Sequence, residues 1–186
     1  MRRLVPLVLV ALAACSRTAS YDGPADAPKV HLVGDSLVVE SEEELRALFA
    51  GDRLAWHAER GEDTAWAAER VRRQVEGDPP DVAIVATGTN DWIEGWRPRD
   101  QEALDSVLRS LRQVPCAIWV LPAERFAEVG RRIAAAAEAV PNVHLARWDA
   151  HAAGHPEWYA EDGVHHNAAG ERAYAEFIHG ARTELC

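Results

Sequence analysis

The sequence predicts a three-layer α/β/α domain built on a five-stranded parallel sheet, and three observations carry that expectation. Short apolar runs, several nearly continuous (DVAIVAT, CAIWVL), recur along the chain. They alternate with segments whose apolar residues fall at helical spacing. Strands read in this unbroken way when helices cover both faces of a parallel sheet. The length of 186 residues, with 48% hydrophobic and 27% charged, suits one domain with a sizeable core.

Taken in order, the first strand is expected at 29–33, where KVHLV runs into Gly34-Asp35-Ser36. Residues 41–50 carry acidic residues early and Leu45, Leu48 and Phe49 at helical spacing, so they read as a helix. The alternation continues with a strand at 53–57, a helix at 64–75 and a buried strand at 81–87. A helix at 101–112, a strand at 116–121 and an Ala-rich helix at 123–139 follow. A fifth strand at 143–148 and a closing helix at 168–184 complete the domain, which is expected to span 29–186. In open sheets of this kind ligands bind outside the carboxyl ends of the strands, so the segments after each strand are where chemistry is sought.

The first 14 residues stand apart. Arg2 and Arg3 precede an apolar run at 4–14, and the small residues Ala13 and Ala14 lead into Cys15, which is the build of an export signal. The run is far short of the ~20 residues a permanent span needs. Leu12-Ala13-Ala14-Cys15 also resembles the lipobox of bacterial lipoproteins, which implies cleavage before Cys15 and a lipid on it; ordinary signal cleavage is the alternative. Residues 15–28, rich in Ala, Asp, Pro and Ser, then read as a flexible tether holding an exported domain at the outer face of a membrane. Without Arg2 and Arg3 the chain holds 18 basic and 30 acidic residues, a charge near −12. Such a body repels polyphosphates, which excludes nucleic acid as the main partner. Export makes Cys116 and Cys186 an even pair in an oxidising compartment. One opens a strand and the other ends an antiparallel helix, so both fall at one end of the domain. That placement permits a disulfide, the alternative being two free thiols.

Three strand-end segments carry candidate chemistry. Gly34-Asp35-Ser36-Leu37 puts a serine at a tight turn before a helix, where a substrate carbonyl can approach and helix N–H groups can face a developing oxyanion. Taken alone, such residues equally well turn the chain and cap the helix. Gly88-Thr89-Asn90-Asp91 offers the Asn90 amide, a neutral donor that does not compete for the serine proton. Asp162-Gly163-Val164-His165 places a carboxylate three residues ahead of a histidine, where it can fix the ring tautomer and leave the other nitrogen free as a base.

In this order and at these places the three segments resemble the Gly-Asp-Ser-Leu, Gly-x-Asn-Asp and Asp-x-x-His blocks of the GDSL/SGNH hydrolases, and the resemblance runs from Lys29 to the end. It implies a flavodoxin-like sheet and an acyl-enzyme mechanism without metal or other cofactor. Ser36 is then the nucleophile, His165 the base and later the acid, and Asp162 its orienter. The Ser36 N–H, the Asn90 amide and a glycine N–H form the oxyanion hole. Gly61 is the best candidate for that glycine, although the residues around it match the family's second block poorly. Asp35 reads as structural, Asp91 lacks a neighbouring histidine, and His166 competes with His165 by adjacency alone.

Seven tryptophans are many for this length. Trp119 and Trp148 read as core residues within strands, whereas Trp92, Trp96 and Trp158 flank the candidate loops and are expected to line a substrate pocket. Such a pocket suits a sugar ring or an acyl chain, and no long insertion is available as a lid. The expected substrate is therefore a small acyl ester, of acetyl type, on a glycan, a lipid or a small alcohol. Acyl transfer to a sugar and an inactive glycan-binding module are the competing readings. His151 and His155 are four apart, but Ala-Ala-Gly between them argues against a metal-binding helix face.

Overall fold

The computed structural model describes residues 19–186; the expected signal segment 1–14 and Cys15 lie outside them. Five strands form one sheet: β1 (Lys29–Gly34), β2 (Arg53–Ala58), β3 (Val82–Ala86), β4 (Cys116–Val120) and β5 (Val143–Ala146). All pairs are parallel and the spatial order is β2-β1-β3-β4-β5. Each apolar run became a strand because side chains on both faces find cover. Every residue of central β3 is buried.

The period of two along each strand sorts the core into two layers. Val30 and Leu32 of β1 pack with α1 (Ser36–Glu40), α2 (Glu42–Leu48) and the closing helix α8 (Ala168–Leu185). Val33 turns to the other face, towards α3 (Thr64–Gly77), α5 (Pro98–Leu111) and α6 (Ala127–Ala137). Trp119 is wholly buried in the second layer and Trp148 almost wholly in the first. At roughly 25 cal/mol per Å² of apolar area removed from water, such aromatics are among the largest single contributions to the core.

Several helices differ from the expectation for local reasons. The helix expected at 41–50 begins instead at Ser36, because the Asp35 side chain accepts the Leu37 N–H at 3.0 Å and caps α1 there. It breaks at Ser41, whose hydroxyl donates to the Leu37 carbonyl at 3.0 Å. Pro98 sits at the first position of α5, where its missing N–H has no cost, and the Asp100 carboxylate accepts the Arg97 N–H at 2.6 Å. The Ala-rich helix starts at Ala127, after a 3-10 turn at Glu124–Phe126. The fifth strand stops at Ala146, so Trp148 opens a short helix, α7 (Trp148–His151), rather than ending a strand. A further short helix, α4 (Thr89–Ile93), occupies what reads in sequence as a plain turn.

Residues 19–28, expected within a flexible tether, are packed on the domain. Asp22 pairs with Leu54 through N–H···O bonds of 3.0 and 2.7 Å, and the Tyr21 hydroxyl donates to the Asp78 carbonyl at 3.2 Å. They cover the outer edge of β2 near its start, which blunts an open strand.

Cys116 and Cys186 are joined by a disulfide, with Cα atoms 5.9 Å apart and 70 residues apart in sequence. It lies at the amino end of β4, opposite the carboxyl ends of the strands. Closing a loop of that length restricts the unfolded chain, for roughly 2–4 kcal/mol of stabilisation. The Cys116→Ser/Cys186→Ser variant is expected to melt about 5–12 °C lower by calorimetry.

Candidate active site

With this strand order the chain leaves β1 towards β2 on one side and β3 on the other, which opens a crevice at their carboxyl ends. Ser36 stands there as the first residue of α1, with 5% of its surface exposed. Gly34 makes the turn sterically feasible: a Cβ at that position would lie 2.2 Å from a Val38 methyl, so only glycine lets α1 fold back on its own strand.

The Ser36 Oγ is 3.1 Å from Nε2 of His165, and Nδ1 of the same ring is 2.7 Å from Oδ2 of Asp162. Asp162 also accepts the backbone N–H groups of Val164 (2.8 Å) and His165 (3.0 Å) through Oδ1, an Asx turn that bends the loop back on itself. The hydrogen bond from His165, helped by those two backbone donors, lowers the Asp162 carboxyl to about 2. A carboxylate so held fixes the Nδ1–H tautomer and turns the Nε2 lone pair towards the serine hydroxyl. Further bonds knit the loop: Ala160 N–H to His165 O at 2.8 Å, and Gly163 N–H to Ala160 O at 2.9 Å. Gly163 has φ +66°, and the Arg125 guanidinium occupies the place a side chain there would take.

Asn167, next in the chain after His166, ends the loop and caps α8. Its side-chain oxygen accepts from Ala169 and Gly170, and its amide donates to Glu157 O at 2.7 Å. Asn before Ala-Ala-Gly-Glu is the cap signal present in the sequence at this position. His166 points the other way. It is buried among Trp148, Tyr159 and Tyr174, neither ring nitrogen has a partner among the described residues, and burial pushes its pKa down to about 4.

Three candidate donors come from separate strand ends. The Ser36 N–H, at the first position of a helix, has no partner within that helix. Asn90, in α4, donates one amide hydrogen to Glu62 O at 2.8 Å, which ties it to the exposed turn holding Gly61 and leaves its second hydrogen unused. Gly61 sits in that turn with φ +79°.

Two carboxylates are buried nearby, and neither is bonded to His165. Asp91 accepts the Thr64 N–H (3.1 Å) and hydroxyl (2.9 Å), anchoring the start of α3, and burial raises it to about 6. Asp35, the cap of α1, is raised by burial to about 7. Between pH 4 and 7 the folded state therefore keeps a proton that unfolded Asp35 releases, so this group's contribution to stability falls as pH rises through that window. Asp35→Asn keeps the cap acceptor and removes the charge. Urea unfolding at pH 5 and pH 8 is expected to show a smaller loss of stability on alkalinisation in the variant than in the parent.

The tryptophans expected in the pocket do not wall it. A cavity of about 320 Å³ beside the loop carrying His165 is lined instead by Arg125, His155, Pro156, Tyr159, Ala160 and Gly163. Trp92 is 47% exposed, its ring over Phe126. Trp96 packs on the α3/α5/α6 layer beneath the Arg132 guanidinium. A 3-10 turn at Pro156–Trp158 directs Trp158 onto Trp148, so it faces a separate groove along α8. His151 stacks near Phe177, His155 pairs with Glu157, and among the described residues no cluster of three or more His, Cys, Asp or Glu has the geometry to hold a metal.

Comparison with known proteins gives consistent findings. The sequence model of a family described as GDSL-like lipase/acylhydrolase matches residues 32–173. The O-acetyltransferase OatA of Staphylococcus aureus is 40% identical over 97 residues, 51% of this chain and 15% of that protein. The chain thus spans about 15% of the length of that curated relative. The C-terminal catalytic domain of Streptococcus pneumoniae peptidoglycan O-acetyltransferase A, solved with a methylsulfonyl adduct, superposes with a TM-score of 0.69 at 26% identity, over 86% of this chain and 94% of that one. An acetyl xylan esterase variant from Geobacillus stearothermophilus shares the fold at 17% identity and a TM-score of 0.65, over 83% of this chain and 93% of that one.

Proposed function

The chain belongs to the GDSL-like lipase/acylhydrolase family, and from that premise we propose that it is a serine acyl-ester hydrolase acting on small, acetyl-type esters. The observation that carries this reading is the continuous line from Ser36 Oγ through the His165 ring to the Asp162 carboxylate, with contacts of 3.1 and 2.7 Å. His165 takes the serine proton as Oγ attacks the ester carbonyl, and Asp162 stabilises the imidazolium that forms. The oxyanion is held by the Ser36 and Gly61 N–H groups and the free amide hydrogen of Asn90. His165 then gives its proton to the departing alcohol, leaving an acyl-serine. Water, deprotonated by the same ring, releases the acid and restores Ser36.

The two O-acetyltransferases among the similar proteins favour a short acyl ester over a triglyceride. Release of p-nitrophenol from p-nitrophenyl esters of increasing chain length tests the reading: turnover highest for acetate supports it, and none on any ester sinks it. Asn90→Ala is expected to lower kcat about 10²–10³-fold with a smaller change in KM, because the missing hydrogen bond matters most in the transition state; single-turnover kinetics with p-nitrophenyl acetate would check it.

A second reading is favoured by the two O-acetyltransferases among the similar proteins. The same acyl-serine then passes its acetyl group to a sugar hydroxyl instead of water. An added acceptor alcohol that diverts product from free acetate to a new ester selects this reading. Export, lipidation at Cys15 and residence on the outer face of a membrane, with a glycan or lipid ester as partner, complete the proposal. Metabolic labelling with a fatty acid, lost in Cys15→Ala, tests the anchor.

A further inference from the structure

The cavity beside the triad has one cationic wall, Arg125, and we propose that this residue selects esters whose alcohol portion carries a carboxylate. The inference rests on the ester-hydrolase reading and names the substrate class of that same site. The cavity is bounded by Gly163, Tyr159 and Ala160, so it lies on the His165 side of Ser36, whereas Asn90 and Gly61 come from the ends of β3 and β2. The group that protonates the departing alcohol must reach its oxygen, which places the alcohol on the histidine's side. The cavity is thus a leaving-group pocket.

Arg125 is held there and left unpaired. Its guanidinium packs against Gly163 and lies 5.7 Å from the Phe126 ring centre. Among the described residues no carboxylate approaches it within ion-pair distance, although Glu124 precedes it and also lines the cavity. Arg72, Arg97, Arg147 and Arg182 are committed to Glu69, Asp100, Asp149 and Asp52, and although other arginines are also without an ion pair among the described residues, Arg125 is the one that lines this cavity. A net charge of −10 repels anions from the surface at large, so an acidic substrate needs a local cation to dwell at the mouth of the site. The planar guanidinium fork matches a carboxylate in two hydrogen bonds, and the neighbouring walls of Ala123, Ala152 and Pro156 reduce competition from water.

The test compares phenyl acetate with 4-acetoxybenzoate, the same acetyl ester bearing a carboxylate on the alcohol side, in the parent, Arg125→Met and Arg125→Lys. The ratio of kcat/KM for the acidic ester to that for the neutral one is expected to fall at least tenfold in Arg125→Met, mainly through KM, and less in Arg125→Lys. Raising salt is expected to lower the ratio in the parent and not in Arg125→Met. An equal loss on both esters, or an unchanged ratio, overturns the assignment; the former makes Arg125 only a prop for the Gly163 turn. If the parent turns over neither ester, the hydrolase reading fails separately. Calorimetric binding of 4-hydroxybenzoate then still decides the point, since affinity lost in Arg125→Met supports an anion site and equal affinity refutes it.

Discussion

Ser36→Ala is expected to abolish ester turnover, by about 10⁶-fold in kcat on the scale of other serine hydrolases, while leaving the melting temperature within a few degrees of the parent. Both halves follow from where the residue sits. Among the described residues the one side-chain hydrogen bond Ser36 makes is the 3.1 Å contact to His165, so removing the hydroxyl orphans no other buried partner there. Alanine is also the better helix former, and the cap of α1 comes from Asp35 rather than from Ser36. Parallel p-nitrophenyl acetate kinetics and thermal melts separate the two effects. Activity within tenfold of the parent in a folded variant would assign the nucleophile elsewhere.

His165→Ala is expected to cost several orders of magnitude in kcat, whereas His166→Ala leaves kcat within a few-fold and lowers stability instead. The adjacent rings have opposite surroundings. His165 is hydrogen-bonded at both nitrogens, to Ser36 and Asp162. His166 is buried and unpartnered among aromatic rings, so its truncation opens a void against Trp148 and Tyr174. Measuring kcat and urea midpoints for both variants gives a crossed pattern under this assignment. The reverse pattern would make His166 the base.

The five strands were legible because each is an apolar run bounded by turn residues, and their ends fall within two residues of the expectation. Short helices were not. α4 and α7 hold five and four residues, too few for a 3.6-residue period to declare itself. The start of α5 at Pro98 carried a readable signal in Arg-Pro-Arg-Asp, which the apolar pattern from Gln101 onward overshadowed. Of the candidate residues only the Asp162–His165 pair is legible from spacing, since an Asp three residues before a His can bond it locally; Ser36 is singled out by the order of the three blocks and the family resemblance they carry. The pocket wall was not readable in this way. Which face a tryptophan presents depends on turns such as Pro156–Trp158 and on partners distant in sequence, so Trp158 went to Trp148 while Tyr159 and Arg125 took the cavity. The Arg125 position against Gly163 is likewise a tertiary contact between segments after β4 and before α8.

The loop from Glu157 to Asn167 is bonded chiefly to itself, through Ala160 to His165, Gly163 to Ala160, Asp162 to Val164 and His165, and Asn167 to Glu157. Asp162 and His165 therefore form a prefabricated part, and the tertiary fold has one alignment left to make, that of the ring against Ser36. Such a hierarchy lets the two halves of the site fail at different thresholds. Mild denaturant that lets α8 slip on the sheet would silence the enzyme while the carboxylate still grips its imidazole.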